Sequence, residues 1–209
     1  MSRYLGSVCK SCRREGEKLF LKGEKCFTKC TLDGKRGKNA PGQHGAQRGK
    51  GKVSNYAQHL REKQKARCIY GLTEEQFRHY FRRAERMKGL TGENLLKLLE
   101  LRLDNIVYRL GIALSRKSSR QLVGHGQVLV NNRRINLPGY QLKVGDRISL
   151  NEKLKENVFI KKALELNEKF PSWLSFDKEK LSGSVLNLPG TDEFSHPINS
   201  QLIVELYSK

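Results

Sequence analysis

The stretch from Glu93 to Leu150 constrains the fold most, because helical and extended patterns follow each other in it without ambiguity. Its first part repeats leucine and isoleucine at steps of three and four residues, the period of a helix with one buried face. The run Val128–Val130 predicts a short strand, and Asn131 and Asn132 predict a turn, since asparagine tolerates positive φ. The stretch therefore predicts helices packed on a small antiparallel sheet.

Basic side chains in this stretch follow the pattern of a nucleic-acid contact. Its second helix carries Arg116, Lys117 and Arg120 in the first turns, where residues three or four apart share a face. Arg133 and Arg134 follow the turn after the strand. A basic helix beside a basic hairpin predicts a clamp for an RNA backbone; the alternative is a solvated charged face on an ordinary small domain.

The net charge of the chain also favours a polyanionic partner. The 209 residues carry 41 Lys and Arg against 21 Asp and Glu, which gives +20 at pH 7. A compact fold with that charge repels itself, so RNA is a natural partner to neutralise it. No apolar run reaches the roughly 20 residues of a membrane span, and the first residues lack the apolar core of a signal peptide. We therefore expect a cytoplasmic protein, with synthesis inside an organelle as the alternative, and no membrane partner.

Four of the five cysteines form two pairs near the start of the chain. Cys9 and Cys12 stand in a Cys-x2-Cys pattern, and Cys26 and Cys30 follow in Cys-x3-Cys. Two such pairs can close a tetrahedral thiolate site for one Zn²⁺ ion, which would supply folding energy to a segment too polar to form its own core. An iron–sulfur cluster, two disulfides or four unrelated thiols are the alternatives, and a cytosolic location argues against disulfides.

Further cations lie beside the cysteines, in a glycine-rich arm that can approach phosphates closely, and on the helix that follows. From these segments we expect RNA contacts by Arg13, Arg14, Arg48, Lys50, Lys52, Arg61 and Lys65. We expect no catalytic residue and no small-molecule substrate, since the sequence contains no P-loop, dinucleotide fingerprint or nucleophile elbow.

The motifs of the organising stretch resemble those of a known domain. Arg102-Leu-Asp-Asn, Ser115-Arg, Arg120-Gln-Leu-Val and His125-Gly occur in the order found in the small RNA-binding domain named after small-ribosomal-subunit protein four. That domain also occurs in pseudouridine synthases, so by itself the resemblance implies only binding to structured RNA.

The likeness continues along essentially the whole chain. Pro41-Gly-Gln-His-Gly, Thr91-Gly-Glu-Asn-Leu and the final Ile203-Val-Glu-Leu-Tyr-Ser-Lys resemble the family of small-subunit ribosomal protein four, in the bacterial form that keeps four cysteines. We expect an α+β protein in three parts. These are a zinc knuckle and basic arm over residues 1–45, a helical domain over 46–92 joined by about 190–209, and an RNA-binding domain over 93–189 with its core signature at about 99–160.

The resemblance also implies a function. The protein would be a structural constituent of the small ribosomal subunit, and a primary binder of small-subunit rRNA that helps to start assembly at a multi-helix junction of the 5′ region. It would contact neighbouring small-subunit proteins, especially the fifth, at an interface that affects translational accuracy. An RNA-modifying enzyme with the same domain and a messenger-binding translational regulator are the alternatives.

Overall fold

The computed structural model describes residues 4–35, 37, 39–45, 53–151, 154, 156–166, 170–178 and 180–208. The chain divides into two compact units, one formed by Met1–Leu95 with Pro197–Lys209 and the other by Leu96–His196. The described residues combine helices with an antiparallel sheet, which confirms the α+β class.

In chain order, the described helices are α1 (Val8–Glu15), α2 (Lys25–Thr28), α3 (Asn55–Ile69), α4 (Glu74–Glu85), α5 (Thr91–Glu100), α6 (Leu103–Arg109), α7 (Arg116–Gly124), α8 (Val158–Leu166) and α9 (Ser200–Tyr207). The strands are β1 (Val128–Val130), β2 (Arg133–Ile135), β3 (Arg147–Leu150), β4 (Leu174–Asp177) and β5 (Ser182–Val185). Among the described residues, no helix is both long enough and apolar enough to span a bilayer.

Side-chain caps set where the helices of the first unit begin. The Ser54 hydroxyl accepts a hydrogen bond from an amide in the first turn of α3. Thr73 and Gln76 form a reciprocal capping box at α4, with hydrogen bonds of 3.1 and 3.4 Å. The Asn199 side chain accepts from two amides of α9. Each cap satisfies amide donors that a helix leaves without a partner in its own first turn.

The core of the first unit contains the apolar face of α4 and the C-terminal helix. Phe77, Tyr80, Phe81 and Ala84 are buried along one side of α4, as their helical spacing predicts. The Tyr207 ring stacks on Phe81, with ring centres 4.4 Å apart. The end of the chain is thus a helix packed back on the first unit.

The second unit is a five-stranded antiparallel sheet in the order β2-β1-β3-β5-β4, packed against helices. The apolar faces of α6, β1 and β3 share one core, in which Trp173 is 1% exposed. Its largest fully buried side chains include Leu103, Ile106, Leu110, Ile112, Leu142, Ile148 and Trp173.

The turn between β1 and β2 forms where the two asparagines predict it. Asn131 and Asn132 have φ values of 49° and 64°. The Asn131 side chain donates to Asp146 at 2.8 Å and accepts from the Arg147 amide at 2.9 Å. These bonds tie the hairpin to the start of β3.

Candidate nucleic-acid interface

Four exposed cations lie on α7 and on the adjoining strands. Lys117 is exposed in the first turn of α7, Arg133 and Arg134 are exposed on β2, and Arg147 is exposed on β3. Arg134 pairs with Leu129, which also pairs with Ser149, so Arg134 and Arg147 lie on one face of the sheet. Sequence reasoning missed Arg147, although the alternation along β3 places it opposite the buried side chains.

Arg134 is held at the end of α7. Its Nη2 donates to the carbonyl of His125 at 2.9 Å, beside a depression of about 350 Å³ lined by Gly124, His125, Gly126, Arg134 and Asn136. Gly126 has φ +64°, and a Cβ there would lie 2.1 Å from Arg134 Nε. Glycine at this position therefore allows both the left-handed turn that follows α7 and the close approach of the guanidinium.

The buried residue Asp104 links α6 to α7. Arg102 donates from Nε and Nη2 to the two carboxylate oxygens of Asp104, at 3.0 and 2.6 Å. Arg120 Nη1 lies 3.8 Å from the same carboxylate, and its side chain is only 11% exposed. The Ser119 hydroxyl donates to the Asp104 carbonyl at 2.5 Å. Asp104 therefore fixes the position of α7 relative to α6.

A second buried network includes Arg116. The fully buried Glu100 accepts from the Asn105 amide at 2.6 Å, and Asn105 Oδ1 in turn accepts from Arg116 Nε at 2.9 Å. The Arg116 guanidinium lies over the Tyr108 ring, 4.5 Å from its centre, and the residue is 8% exposed. Buried polar groups of this kind need such partners, so the network orients the start of α7.

The five cations predicted in this unit therefore fall into two groups. Lys117, Arg133 and Arg134 face solvent, whereas Arg116 and Arg120 are mostly buried and hold α6 and α7 together. All five stay predicted RNA ligands, but the structure gives two of them a positioning role that the sequence did not reveal.

Cations of α1 are engaged with the backbone of the loop at residues 39–41. Arg13 Nε donates to the Asn39 carbonyl at 3.1 Å, and Arg14 Nη2 donates to the Pro41 carbonyl at 3.0 Å. These bonds leave other nitrogen atoms of each guanidinium for a phosphate, since arginine carries five N–H donors. Both residues stay predicted RNA ligands.

Two predicted cations of α3 form ion pairs. Arg61 Nη1 lies 3.0 Å from Glu15, and Lys65 Nζ lies 2.7 Å from Glu17. Burial raises the pKa of Glu15, and the Arg61 charge offsets only part of that effect. The Lys65 side chain is 11% exposed, so a phosphate would have to compete with its present partners. The predicted ligands Arg48, Lys50 and Lys52 lie outside the described residues.

The four paired cysteines line one cavity of about 20 Å³, and all are free thiols. The Lys22 amide lies 3.2 Å from Cys26 Sγ. Burial raises the pKa of Cys12, a backbone hydrogen bond at Leu19 lowers it in part, and the neighbouring thiols raise it further. Among the described residues, no group of three or more His, Cys, Asp or Glu side chains is arranged to hold a metal ion. The zinc site stays a prediction.

Helices packed on an antiparallel sheet, with exposed cations on one helix and the adjoining hairpin, define an RNA-binding module. Residues 101–148 match the family described as S4 domain, and residues 3–100 match the family described as Ribosomal protein S4/S9 N-terminal domain. The chain belongs to the small ribosomal subunit protein uS4 family, which confirms the resemblance seen in the sequence.

Full-length relatives carry that name in several bacteria. The chain is 64% identical over 210 residues to "Small ribosomal subunit protein uS4" of Endomicrobium trichonymphae. It is 53% identical over 212 residues to the proteins of the same name from Pelotomaculum thermopropionicum and Geotalea daltonii. In all three comparisons the similarity covers 100% of both chains.

Proposed function

We propose that this protein is a structural constituent of the small ribosomal subunit in the cytoplasm, where it binds the rRNA. The observation that carries this function is the 64% identity, over the full length of both chains, to a small ribosomal subunit protein. The charge of +20 and the exposed cations of α7, β2 and β3 supply the physical basis for binding a polyanion. Membership of a ribosomal protein family also means that the protein is not an enzyme.

Phosphate contacts provide most of the affinity in this mechanism, and the shape of the RNA provides the specificity. The major groove of an A-form helix is too deep and narrow for side chains to read, so base edges contribute little. Lys117, Arg133 and Arg134 contact phosphates, while the buried networks at Asp104 and Glu100 hold the helix that presents Lys117. The position of the cations then selects RNA whose backbone has the matching shape.

Finer aspects of this function rest on the family resemblance. The protein binds early in assembly at a multi-helix junction in the 5′ region of the rRNA. It contacts neighbouring small-subunit proteins, the fifth in particular, and thereby affects translational accuracy. The strongly basic first 90 residues, with 23 basic and eight acidic side chains, support an extensive contact with rRNA.

The four paired cysteines are proposed to hold one Zn²⁺ ion. Their donor type suits the ion, since zinc favours four thiolates, and all four cysteines line the same cavity. The Lys22 amide beside Cys26 is the kind of neighbouring donor that stabilises a metal-bound thiolate. When bound, the metal would join the two cysteine pairs and stabilise the segment around α1 and α2.

Binding to RNA of defined sequence tests the function. Purified protein is titrated with the 5′ region of small-subunit rRNA, and with an unrelated RNA of equal length, across a salt series. We expect a large preference for the rRNA that persists at high salt, since shape recognition adds to the electrostatic attraction. Equal affinity for both RNAs, lost together as salt rises, would contradict the proposal.

A further inference from the structure

The outward face of α4 and its C-terminal end carry a row of arginines. These arginines are additional to the exposed cations of α7 and of the β1–β2 hairpin. Arg78, Arg82, Arg83 and Arg86 are exposed, while the opposite side of the helix is buried. Residues four apart share a helix face, so Arg78, Arg82 and Arg86 form one ridge at steps of about 6 Å along the axis. Arg83 lies beside this ridge.

The fold itself makes little use of these guanidinium groups. Within the part of the chain that the structure describes, the side chains of Arg82, Arg83 and Arg86 form no hydrogen bond or ion pair. Lys63 on α3, by contrast, donates to Glu74 at 2.7 Å. Cations near the end of a helix gain from its dipole, but like charges four residues apart destabilise it. A partner that neutralises these exposed charges would remove the repulsion between them.

The chemistry of this face fits a phosphate backbone better than a protein partner. The exposed side chains of α4 and of its C-cap residue Arg86 are the four arginines, His79 and two glutamates, Glu75 and Glu85, so the charge of the face is positive. A protein interface usually has an apolar or aromatic centre, whereas this face is charged. The planar guanidinium donates two parallel hydrogen bonds to phosphate oxygens.

We propose that Arg78, Arg82, Arg83 and Arg86 form a second phosphate-binding surface, which contacts small-subunit rRNA through the first unit of the chain. This inference rests on the proposed function and adds the outward face of α4 to the RNA contacts predicted for the first unit. It accounts for three arginines at the end of α4 whose side chains have no partner among the residues that the structure describes.

The test compares two full-length variants that each lose three positive charges. R82Q/R83Q/R86Q removes most of the ridge, and glutamine retains a high helix propensity. K161Q/K178Q/K180Q removes three exposed lysines from the second unit and is the matched control. With the 5′-region rRNA we expect the ridge variant to bind roughly tenfold or more weakly, and the slope of log affinity against log salt to fall by about two to three. The control should resemble the wild type.

The outcomes separate this inference from the function on which it rests. If the wild type shows no preference for the rRNA, the proposed function itself is wrong. If the wild type shows the preference but the ridge variant keeps its affinity and salt slope, the second surface is wrong. Equal losses in the ridge variant and the control would also overturn it, because net charge would then explain the effect.

A measurement on the wild type keeps the test valid if the ridge variant is unstable. An arginine-specific dicarbonyl reagent is applied to the protein with and without the rRNA, and modification is located by mass spectrometry. We expect the RNA to protect Arg82 and Arg86. Equal modification in both samples would overturn the inference. A ridge that contacts a protein instead of RNA would give this result, because the rRNA would not protect it.

Discussion

Arg102 and Asp104 form a buried ion pair with two hydrogen bonds, Nε to Oδ1 at 3.0 Å and Nη2 to Oδ2 at 2.6 Å. Their side chains are 4% and 6% exposed. Arg120 approaches the same carboxylate to 3.8 Å. The Asp104 carboxylate therefore links the start of α6 to α7, the helix that presents Lys117.

Replacing Asp104 by Asn should destabilise the second unit strongly. The change leaves Arg102 charged and buried without its counterion, which typically costs about 3–5 kcal/mol of unfolding free energy. Urea unfolding followed by the fluorescence of Trp173, a core residue of this unit, measures the loss. Asp177→Asn is the control, since the Asp177 carboxylate is exposed, lies 3.9 Å from Lys180 Nζ and accepts from the Lys180 amide at 3.1 Å, a bond that asparagine can keep, and it should change stability by less than about 1 kcal/mol. Similar midpoints for the two variants would show that the buried pair is not important for stability.

Two glycine substitutions at the end of α7 should have opposite effects. Gly126→Ala places a Cβ 2.1 Å from Arg134 Nε at φ +64°, so we expect a loss of about 1–2 kcal/mol of unfolding free energy. Gly124→Ala meets no atom within 4 Å in the last turn of the helix, and should be neutral or stabilise by up to about 1 kcal/mol. Thermal unfolding of both variants and of the wild type measures these changes in stability. A stable Gly126→Ala protein would mean that Arg134 moves away at little cost.

Replacing Arg133 should affect mainly the affinity for rRNA, whereas replacing Arg120 should affect mainly the stability of the fold. The Arg133 side chain is exposed and, among the described residues, forms no hydrogen bond or ion pair, so Arg133→Gln should weaken rRNA binding about three- to tenfold and reduce the salt slope by about one. Its unfolding free energy should not change. Arg120→Gln should lower stability first, because its guanidinium lies beside the buried Asp104 carboxylate. If Arg120→Gln weakens binding at unchanged stability, Arg120 is chiefly an RNA ligand.

The contact of α9 with the first unit should weaken at low pH. Burial raises the pKa of Glu74, but the hydrogen bond and charge of Lys63 and the hydrogen bond of Tyr207 outweigh it, so the pKa lies below its ordinary value. A group with a lowered pKa in the folded state contributes stability above its unfolded pKa of about 4.3 and loses it as pH falls through the folded value.

We therefore expect wild-type stability, measured by far-ultraviolet circular dichroism in urea, to fall more steeply between about pH 5 and pH 3 than that of Glu74→Gln. Glu85→Gln, at an exposed position of the same helix, should follow the wild type. Parallel pH curves for the wild type and Glu74→Gln would contradict the role of this carboxylate.

The metal content of the purified protein tests the cysteine site. We expect about one zinc ion per chain by mass spectrometry, and its loss in Cys9→Ser/Cys12→Ser. Cys68→Ser is the matched control because Cys68 lies outside the two pairs, and it should retain the metal. Iron with visible absorption would indicate a cluster instead, and a wild type without metal would refute the proposal.

Local features of the fold were predictable because their partners are close in the chain. Two of these features are helix caps, at Thr73 with Gln76 and at Ser115, and each joins residues no more than three positions apart. The third is the turn at Asn131 and Asn132, which depends on the positive φ that asparagine tolerates.

The roles of individual cations were not predictable in the same way. Arg116 follows the same sequence pattern as Lys117, yet it is buried against Asn105, 11 positions away. Lys65 donates to the carbonyl of Pro197, which is 132 positions away. Helical spacing indicates which cations share a face, but it does not indicate what packs against that face.

The sequence alone therefore determined the family, the basic character, the pairing pattern of the cysteines and the beginnings of several helices. These properties depend on composition, on motif order or on neighbours within one helical turn. Only the tertiary structure decided that Arg116 and Arg120 are buried while Lys117, Arg133 and the arginines of α4 face solvent. The physical reason is that exposure and ion pairing depend on segments far apart in the chain, which packing alone brings together.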